Sequence, residues 1–162
     1  MQSNIDSQHT IQQLINIVGQ QHVLTHDHAT RLYRQGRRYG SGQVLAVAVP
    51  GTLFEQWQVL QAAVNADCIV IMQAANTGLT GGSTPFGDDY DRPVILMSTR
   101  RLAGIQVINQ GQQVICLPGA TLDRLEKELA QYNREPHSVI GSSCIGASVL
   151  GGICNNSGGA LV

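Results

Sequence analysis

Apolar positions near the start of the chain repeat with the period of a helix. Ile11, Leu14, Ile15 and Val18 fall at positions i, i+3, i+4 and i+7, and Gly19 follows directly. This spacing places all four side chains on one helix face, and glycine is the residue that most often ends a helix. The pattern therefore predicts a short amphipathic helix over residues 10–18.

A continuous apolar run comes next. Residues 44–49 are apolar throughout and end at Pro50-Gly51, which is typical of a strand buried on both faces. Thr52 and Glu55 then form a capping box, in which each side chain accepts a backbone N–H at a helix start. A second apolar run covers residues 68–72, so the order strand, helix, strand predicts a βαβ unit with parallel strands. The helix between them carries an apolar stripe of Leu53, Trp57, Leu60 and Val64.

The same alternation recurs less regularly in the second half of the chain. Strand candidates cover residues 94–98 and 114–117, a turn falls at Pro118-Gly119, and a helix is predicted over residues 121–132. We therefore expect a fold of the α/β or α+β class.

Composition and charge exclude several classes of protein. A length of 162 residues, 43% of them apolar, is enough for one domain with a real core. The net charge of −1 leaves no general field for nucleic acid, and no apolar run approaches the length of a membrane span. The first residues also lack the basic start and apolar run of a secretory signal. We expect a cytoplasmic protein that binds no nucleic acid.

The cysteines predict no metal site. They form no C-x-x-C pair and lie in or beside apolar stretches, at Cys68, Cys116, Cys144 and Cys154. We expect small buried hydrophobes rather than disulfides or zinc ligands.

Residues 26–39 form a basic segment, with arginines at helical spacing before Gly36. A solvated helix face is the first interpretation. The alternative is a basic patch that touches a phosphate or a membrane surface, in which Arg37 and Arg38 would take part.

Glycine is concentrated in residues 74–87 and 141–159, which hold ten of the 18 glycines. The first segment directly follows the strand predicted over residues 68–72 and mixes glycine with Asn, Thr and Ser. In parallel α/β architectures, ligands bind at the carboxyl ends of strands, where such loops direct backbone N–H groups at anionic oxygens. We interpret this segment as a phosphate-binding loop, and a flexible surface loop is the alternative.

The second segment alternates small and apolar residues. Ile145, Val149 and Ile153 recur every four residues, which predicts a short helix with its N-terminus at the preceding serines. A helix N-terminus attracts anions, and glycine leaves bare backbone against which a planar or phosphorylated ligand can lie. Close helix packing through small residues would give the same pattern, so both interpretations stay open.

The standard nucleotide-binding motifs do not match. The chain has no G-x-G-x-x-G, and Gly146 to Gly151-Gly152 has the outer spacing of a P-loop without its Lys-Ser/Thr. A Rossmann NAD domain and a P-loop NTPase are therefore both poor fits.

Long contiguous stretches resemble instead the FAD-linked, respiratory D-lactate dehydrogenases of bacteria. This family belongs to the wider flavoprotein superfamily of vanillyl-alcohol oxidase, whose FAD domain has the fold of p-cresol methylhydroxylase. The stretches are MQAANTGLT at 72–80, GSTP at 82–85, DYDR at 89–92, REPHSVIGSSCIGASV at 134–149 and GGICNNSGG at 151–159. The resemblance implies an α+β FAD-binding domain of the p-cresol methylhydroxylase type. It would hold a βαβ-containing subdomain and the start of a second α/β subdomain, incomplete at the C-terminus.

The resemblance also implies a domain division and a set of FAD contacts. Residues 1–40 would form an N-terminal helical segment, and residues 41–162 the first part of the FAD-binding domain. Backbone amides of the first glycine loop would wrap the FAD pyrophosphate, and the later segment would supply a second set of contacts. The first set is Ala74, Ala75, Asn76, Thr77, Gly78, Gly82 and Ser83, and the second is Gly141, Ser148 and Gly158.

No residue of the chain is predicted to be catalytic. In the family that it resembles, the flavin domain continues beyond the position of Val162 into further strands and a substrate domain, where the lactate-orienting and proton-accepting groups would lie. We interpret His137 as a hydrogen-bonded packing residue rather than a general base. We interpret the acidic residues at positions 88, 89 and 91 as part of a solvated turn rather than as a cation site.

The function implied by the resemblance is the FAD-binding part of an oxidoreductase that converts D-lactate to pyruvate and passes electrons to a quinone. The protein would be cytoplasmic or peripheral on the cytoplasmic face of the inner membrane, with membrane contact through regions outside this chain. One alternative is an FAD module for another 2-hydroxy acid or an alcohol. Another is a non-catalytic truncated remnant, or a module that binds another nucleotide, and the flavin content of the purified chain separates these from an FAD module.

Overall fold

The computed structural model describes residues 2–88, 90–136 and 146–158 and, for residues 2–5, the backbone alone. The chain folds as two compact units, Met1–Arg101 and Leu102–Val162. The division predicted between residues 40 and 41 stays a prediction.

The first unit is built on a four-stranded sheet in the order β1-β2-β4-β3. The strands are β1 (Val23–Leu24), β2 (Ala46–Ala48), β3 (Ile69–Gln73) and β4 (Val94–Ser98), and the helices are α1 (Gln2–Val18), α2 (Asp27–Arg34) and α3 (Leu53–Asn65). β2 and β3 both run parallel to β4, which lies between them, and β1 is antiparallel to β2. The predicted βαβ order and its parallel strands are confirmed, although the two strands flank β4 and do not pair with each other.

The core of this unit explains the first continuous apolar run, whereas the second forms β3 at the sheet edge and is only partly buried. Every residue of β2 and β4 is buried, so neither face of these two strands is open to water. α1 begins earlier than the predicted helix and ends as predicted before Gly19, and it buries Leu14 and Val18 against the sheet and α3. Burial of such side chains is the main stabilising term for a unit of this size.

The predicted capping box at the start of α3 forms with one change. Thr52 Oγ1 accepts the backbone N–H of Glu55 at 3.0 Å, as expected. The Glu55 carboxylate reaches back to the N–H of Gly51 at 2.6 Å, one residue before the cap. Both hydrogen bonds satisfy backbone N–H groups at the start of the helix, where these donors have no partner within the helix.

The apolar stripe on α3 faces solvent. Leu53, Trp57, Leu60 and Val64 are 44–63% exposed, and Phe54 stacks on Trp57 with ring centroids 5.6 Å apart. The face that enters the core carries Val59 and Ala63 instead, which are fully buried. These smaller side chains let α3 lie close to α1 and the sheet.

The second unit contains a hairpin and two helices. β5 (Ile105–Ile108) pairs antiparallel with β6 (Gln113–Cys116), and α4 (Leu122–Ala130) and α5 (Val149–Cys154) follow. β6 and α4 were predicted, whereas β5 was not. A short helix was also predicted in the second glycine segment, but its start at the serines before Ile145 is wrong: α5 begins at Val149, because Gly146 has a left-handed φ of 87° and Ser148 is the N-cap. Thr121 caps α4 by accepting the N–H of Arg124 at 3.3 Å, and three leucines of α4 are buried.

The prediction that the cysteines are buried is confirmed for one of them. Cys68 is buried, and this burial, together with the nearby Asp67 carboxylate, raises the pKa of its thiol. Cys116 is half-buried and Cys154 is exposed because α5 turns it toward solvent, so the prediction is wrong for Cys154. Cys144 lies outside the described residues. No described helix has the length and apolar character needed to cross a bilayer.

Candidate functional site

The first glycine segment begins where β3 ends, at the carboxyl edge of the parallel strands. Gln73, the last residue of β3, is in register with Ser98 at the end of β4. Residues 74–83 then leave the sheet without regular secondary structure. The carboxyl edge of a parallel sheet is the place where ligands usually bind in such folds.

The backbone of this segment has free donors. Among the described residues, no protein group accepts a hydrogen bond from the backbone N–H groups of residues 74–83, whereas the next N–H, that of Thr84, donates to Gly81 O at 3.0 Å. Native proteins rarely leave a run of amides without partners unless water or a ligand satisfies them. The loop thus offers a row of N–H donors of the kind that holds an anion.

Two glycines keep this row accessible. A Cβ added at Gly78 or at Gly82 would meet no atom within 4 Å, so both positions border open space. Gly81 is different, because its φ of 77° is left-handed and a Cβ there would lie 3.1 Å from the carbonyl oxygen of Tyr39. The loop therefore has one open side, at Gly78 and Gly82, and one side closed against residue 39.

Two polar side chains of the segment, Asn76 and Ser83, are occupied within the first unit. Asn76 Nδ2 donates to Gln35 O at 2.8 Å and, at 3.5 Å, to Leu32 O. Its Oδ1 accepts from Ser83 Oγ at 3.2 Å and from Thr84 Oγ1 at 3.1 Å. What Asn76 and Ser83 leave free for a ligand is therefore their backbone N–H groups.

Gln73 was not among the sequence-predicted site residues. It is only 2% exposed, and its Nε2 donates to Tyr33 O at 2.8 Å and to Ser83 O at 2.7 Å. The available signal in the sequence was a polar residue at the end of an apolar strand, directly before the glycine loop. Such a buried amide is costly unless it is hydrogen-bonded, so its position indicates a specific partner.

The described part of the second glycine segment is residues 146–158. Ser148 is buried, and its Oγ accepts the N–H of Gly151 at 3.1 Å, which makes it the N-cap of α5. A Cβ at Gly158 would meet no atom within 4 Å. Gly141 and His137 lie outside the described residues, so the structure says nothing of either.

A cleft of about 790 Å³ opens in the second unit, along β6, α4 and α5. Leu122, Leu125 and Leu129 of α4 and Val149 and Ile153 of α5 give it an apolar lining. Neither Ser148 nor Gly158 borders it. The cleft therefore does not coincide with the predicted contact residues. Backbone N–H groups without a partner indicate an anion site better than cleft volume does.

The basic segment is largely a solvated face. Arg31, Arg37 and Arg38 are exposed, as the first interpretation expected. Arg34 differs, because its side chain is 12% exposed, pairs with Asp27 and donates to Gly42 O at 3.5 Å. Its charge is therefore balanced inside the unit.

The acidic turn around residue 90 provides no cation site in the described residues. Asp91 and Asp67 both pair with Arg92, at 3.1 and 3.0 Å, and these contacts raise the pKa of the guanidinium. Asp88 is exposed, and Asp89 lies outside the described residues. Nowhere in the described ranges do three or more His, Cys, Asp or Glu side chains gather as metal ligands would.

Comparison with known proteins shows which family the chain belongs to. A family model for the FAD binding domain matches residues 44–162. The chain is 59% identical over 155 residues to the quinone-dependent D-lactate dehydrogenase of Haemophilus influenzae, covering 96% of this chain and 28% of that protein. It is 58% identical over 157 residues to the enzyme of the same name from Escherichia coli K12, covering 97% of this chain and again 28% of the relative.

A solved structure supports the fold assignment. Substrate-bound p-cresol methylhydroxylase superposes with a TM-score of 0.72 at 14% identity, over 91% of this chain and 29% of that one. Identity this low shows the fold alone, and it confirms the predicted α+β fold of the p-cresol methylhydroxylase type. The chain spans little more than a quarter of the length of the curated relatives it matches. With residues 44–162 matched by the family model, the chain belongs to the FAD binding domain family.

Proposed function

We propose that this chain is the FAD-binding part of a longer flavoenzyme that oxidises D-lactate to pyruvate and passes the electrons to a quinone. The support for this substrate pair is the high identity to two quinone-dependent D-lactate dehydrogenases over nearly the whole chain. The activity belongs to the longer protein, because this chain corresponds to 28% of either relative. A cytoplasmic protein, peripheral on the inner membrane through regions outside this chain, is part of the same proposal.

The first glycine segment has the properties that a pyrophosphate requires. Phosphate oxygens need several N–H donors and a backbone that they can approach closely. The amides of residues 74–83 have no acceptor among the described residues, and Gly78 and Gly82 leave the approach open. This row of free amides is the observation that carries the proposal. Its contacts would be the backbone N–H groups of Ala74, Ala75, Asn76, Thr77, Gly78, Gly82 and Ser83.

The second segment would supply further contacts from Gly141, Ser148 and Gly158. For Ser148, the hydroxyl is engaged as a helix cap and the carbonyl oxygen accepts the N–H of Gly152 at 3.1 Å, so its backbone N–H is the group left for a ligand. Gly158 has open space where a side chain would be. These assignments rest on the family resemblance and on that local geometry.

The role of this chain would be to bind and orient the cofactor. When bound, FAD supplies the capacity to accept a hydride, which no amino-acid side chain has. The chain's own amides would fix the position of the pyrophosphate and, through it, that of the rest of the cofactor. We assign no proton transfer to any described residue.

The test is isothermal titration of FAD into the purified chain and into the Gly78→Val variant. We expect a Kd on the order of micromolar or tighter for the parent. Since a Cβ at position 78 meets no atom within 4 Å, valine should leave the fold intact and fill the space that the pyrophosphate needs. Binding should then be lost.

Gly152→Val is the matched control. A Cβ at Gly152 also meets no atom within 4 Å, and this residue is outside the predicted contacts. We expect it to bind FAD as the parent does. A parent chain that binds no FAD, or a Gly78→Val variant that binds it equally well, would contradict the proposal.

A further inference from the structure

Helix α2 ends against the glycine loop, and the loop's side chains complete it. The last four carbonyl groups of a helix have no partner within the helix. In α2, Tyr33 O accepts from Gln73 Nε2 at 2.8 Å and Leu32 O accepts from Asn76 Nδ2 at 3.5 Å. Gln35 O, at the C-cap, accepts from the same Asn76 Nδ2 at 2.8 Å.

The same two side chains also close the loop on itself. The Gln73 amide donates a second hydrogen bond, to Ser83 O at 2.7 Å. Asn76 Oδ1 accepts from both Ser83 Oγ and Thr84 Oγ1. Residues 73 and 76 at the start of the loop are thereby joined to residues 83 and 84 at its end, and they connect both ends to α2.

We infer that Gln73 and Asn76 are positioning residues for the cofactor loop, and that they act by capping the carbonyl end of α2. This inference rests on the proposed function, because it assigns the loop to the FAD pyrophosphate. It extends the site to residues 32–35, which precede the part of the chain that the family model matches. α2 itself contributes no ligand.

The physical reason is the cost of ordering a glycine-rich loop. Glycine loses more backbone freedom than any other residue when it becomes fixed. If the hydrogen bonds to α2 fix residues 74–83 before the ligand arrives, binding does not have to supply that ordering free energy. Asn76 fits this role, because its φ of 54° is a left-handed conformation that asparagine tolerates better than most residues.

The capping also removes an electrostatic obstacle. The carbonyl end of a helix carries partial negative charge, which disfavours an anion nearby. Two amide side chains that donate to these carbonyls offset that charge. An acidic side chain at position 73 or 76 would have no N–H to donate and would add negative charge.

The experiment uses the variants Gln73→Met and Asn76→Gly, with Asn133→Gly as control. Methionine has nearly the shape of glutamine without its amide, and glycine keeps the left-handed backbone while removing the side chain. Asn133 has a φ of 53° like Asn76, is exposed and is not part of the loop. The first readout is the backbone ¹⁵N heteronuclear NOE of the ligand-free chain, and the second is titration with FAD and with ADP as a pyrophosphate probe.

We expect lower NOE values in residues 74–83 and 32–35 for both loop variants, with β2 and β4 unchanged. FAD and ADP should bind about tenfold more weakly or worse because the loop must then be ordered on binding. The control should match the parent in both readouts. If Gln73→Met fails to fold, Asn76→Gly alone decides.

Two results would overturn the inference. One is unchanged loop order in the variants, whatever happens to affinity, because weaker FAD binding alone would make Asn76 a direct ligand. The other is a loss of order across the whole first unit, which would make these residues general stabilisers. A parent chain that binds neither FAD nor ADP would contradict the proposed function. The NOE values would still show whether Gln73 and Asn76 order the loop.

Discussion

The glycines that lie around the first loop and those of the second glycine-rich segment meet different surroundings. In the first unit, glycines around the loop lie against other backbone: a Cβ at Gly36 would lie 1.9 Å from Tyr39 O, and one at Gly42 would lie 2.7 Å from Gly87 O. In the described part of the second segment, Gly146, Gly152 and Gly158 have nothing within 4 Å. Glycine is therefore a packing requirement around the first loop, whereas Gly78 and Gly82 within that loop border open space, as these three glycines do.

The polar side chains differ in a matching way. Around the first loop they join distant parts of the chain, since Gln73 and Tyr33 are 40 residues apart. In the second segment the Ser148 hydroxyl bonds Gly151, three residues on. The side chains of the first loop thus act at long range, whereas the cap of α5 acts within its own first turn. Only backbone bonds, such as that from Val149 N–H to Ala120 O at 2.9 Å, join the start of α5 to a distant part of its unit.

The largest effect should come from Gly36→Ala. The new methyl group would overlap a backbone carbonyl oxygen, which cannot rotate away as a side chain can. We expect a loss of roughly 3 kcal/mol in the free energy of unfolding of the first unit. Urea unfolding followed by Trp57 fluorescence measures it, because this is the single tryptophan of the chain and it lies in that unit.

Gly78→Ala is the matched control for that measurement. Its Cβ meets no atom, so the unfolding midpoint should stay within about 0.5 kcal/mol of the parent. Equal stability of both variants would show that the turn at residues 36–42 can open without cost, and the contrast between the two glycine regions would fail.

Secondary-structure elements could be predicted from the sequence where the local residue pattern is compatible with a single structure. The apolar runs at residues 44–49 and 94–97 lead directly to β2 and β4, because such runs are typical of strands buried on both faces. The run at residues 68–72 also forms a strand, but β3 lies at the sheet edge and is only partly buried. The helix caps at Thr52 and Thr121 could also be predicted, because each hydroxyl accepts an N–H only three residues further along the chain.

Other features depend on contacts that local patterns do not contain. α3 has apolar residues on more than one face, and only its packing against α1 and the sheet selects Val59 and Ala63 over the larger Trp57 stripe. Gln73 was missed because its partner Tyr33 O is remote in sequence and is a backbone atom, which leaves no side-chain signal. The glycine loop itself was predictable, but the side chains that hold it were not.

A middle-sized effect should separate two adjacent glycines of the first loop. Gly81→Ala forces alanine into a left-handed backbone and brings its Cβ to 3.1 Å from Tyr39 O, so we expect a loss of about 1–2 kcal/mol. Gly82→Ala meets open space and should be neutral within about 0.5 kcal/mol. Urea unfolding followed by Trp57 fluorescence measures the stability of both variants. A Gly82→Ala variant as unstable as Gly81→Ala would contradict the open side assigned to this loop.

The smallest effect belongs to the second region, where Ser148→Ala removes the cap of α5. Alanine cannot accept the N–H of Gly151, and a helix of six residues has few other bonds to compensate, so we expect a loss of about 1 kcal/mol. Hydrogen exchange at the Gly151 amide should accelerate accordingly, about fivefold at 25 °C, while the first unit keeps its Trp57 unfolding midpoint. Ser157→Ala is the control, because Ser157 is exposed and lies after the helix. If Gly151 exchanges at the parent rate in Ser148→Ala, tertiary contacts rather than the cap hold α5, and the two glycine regions would then be stabilised in the same way.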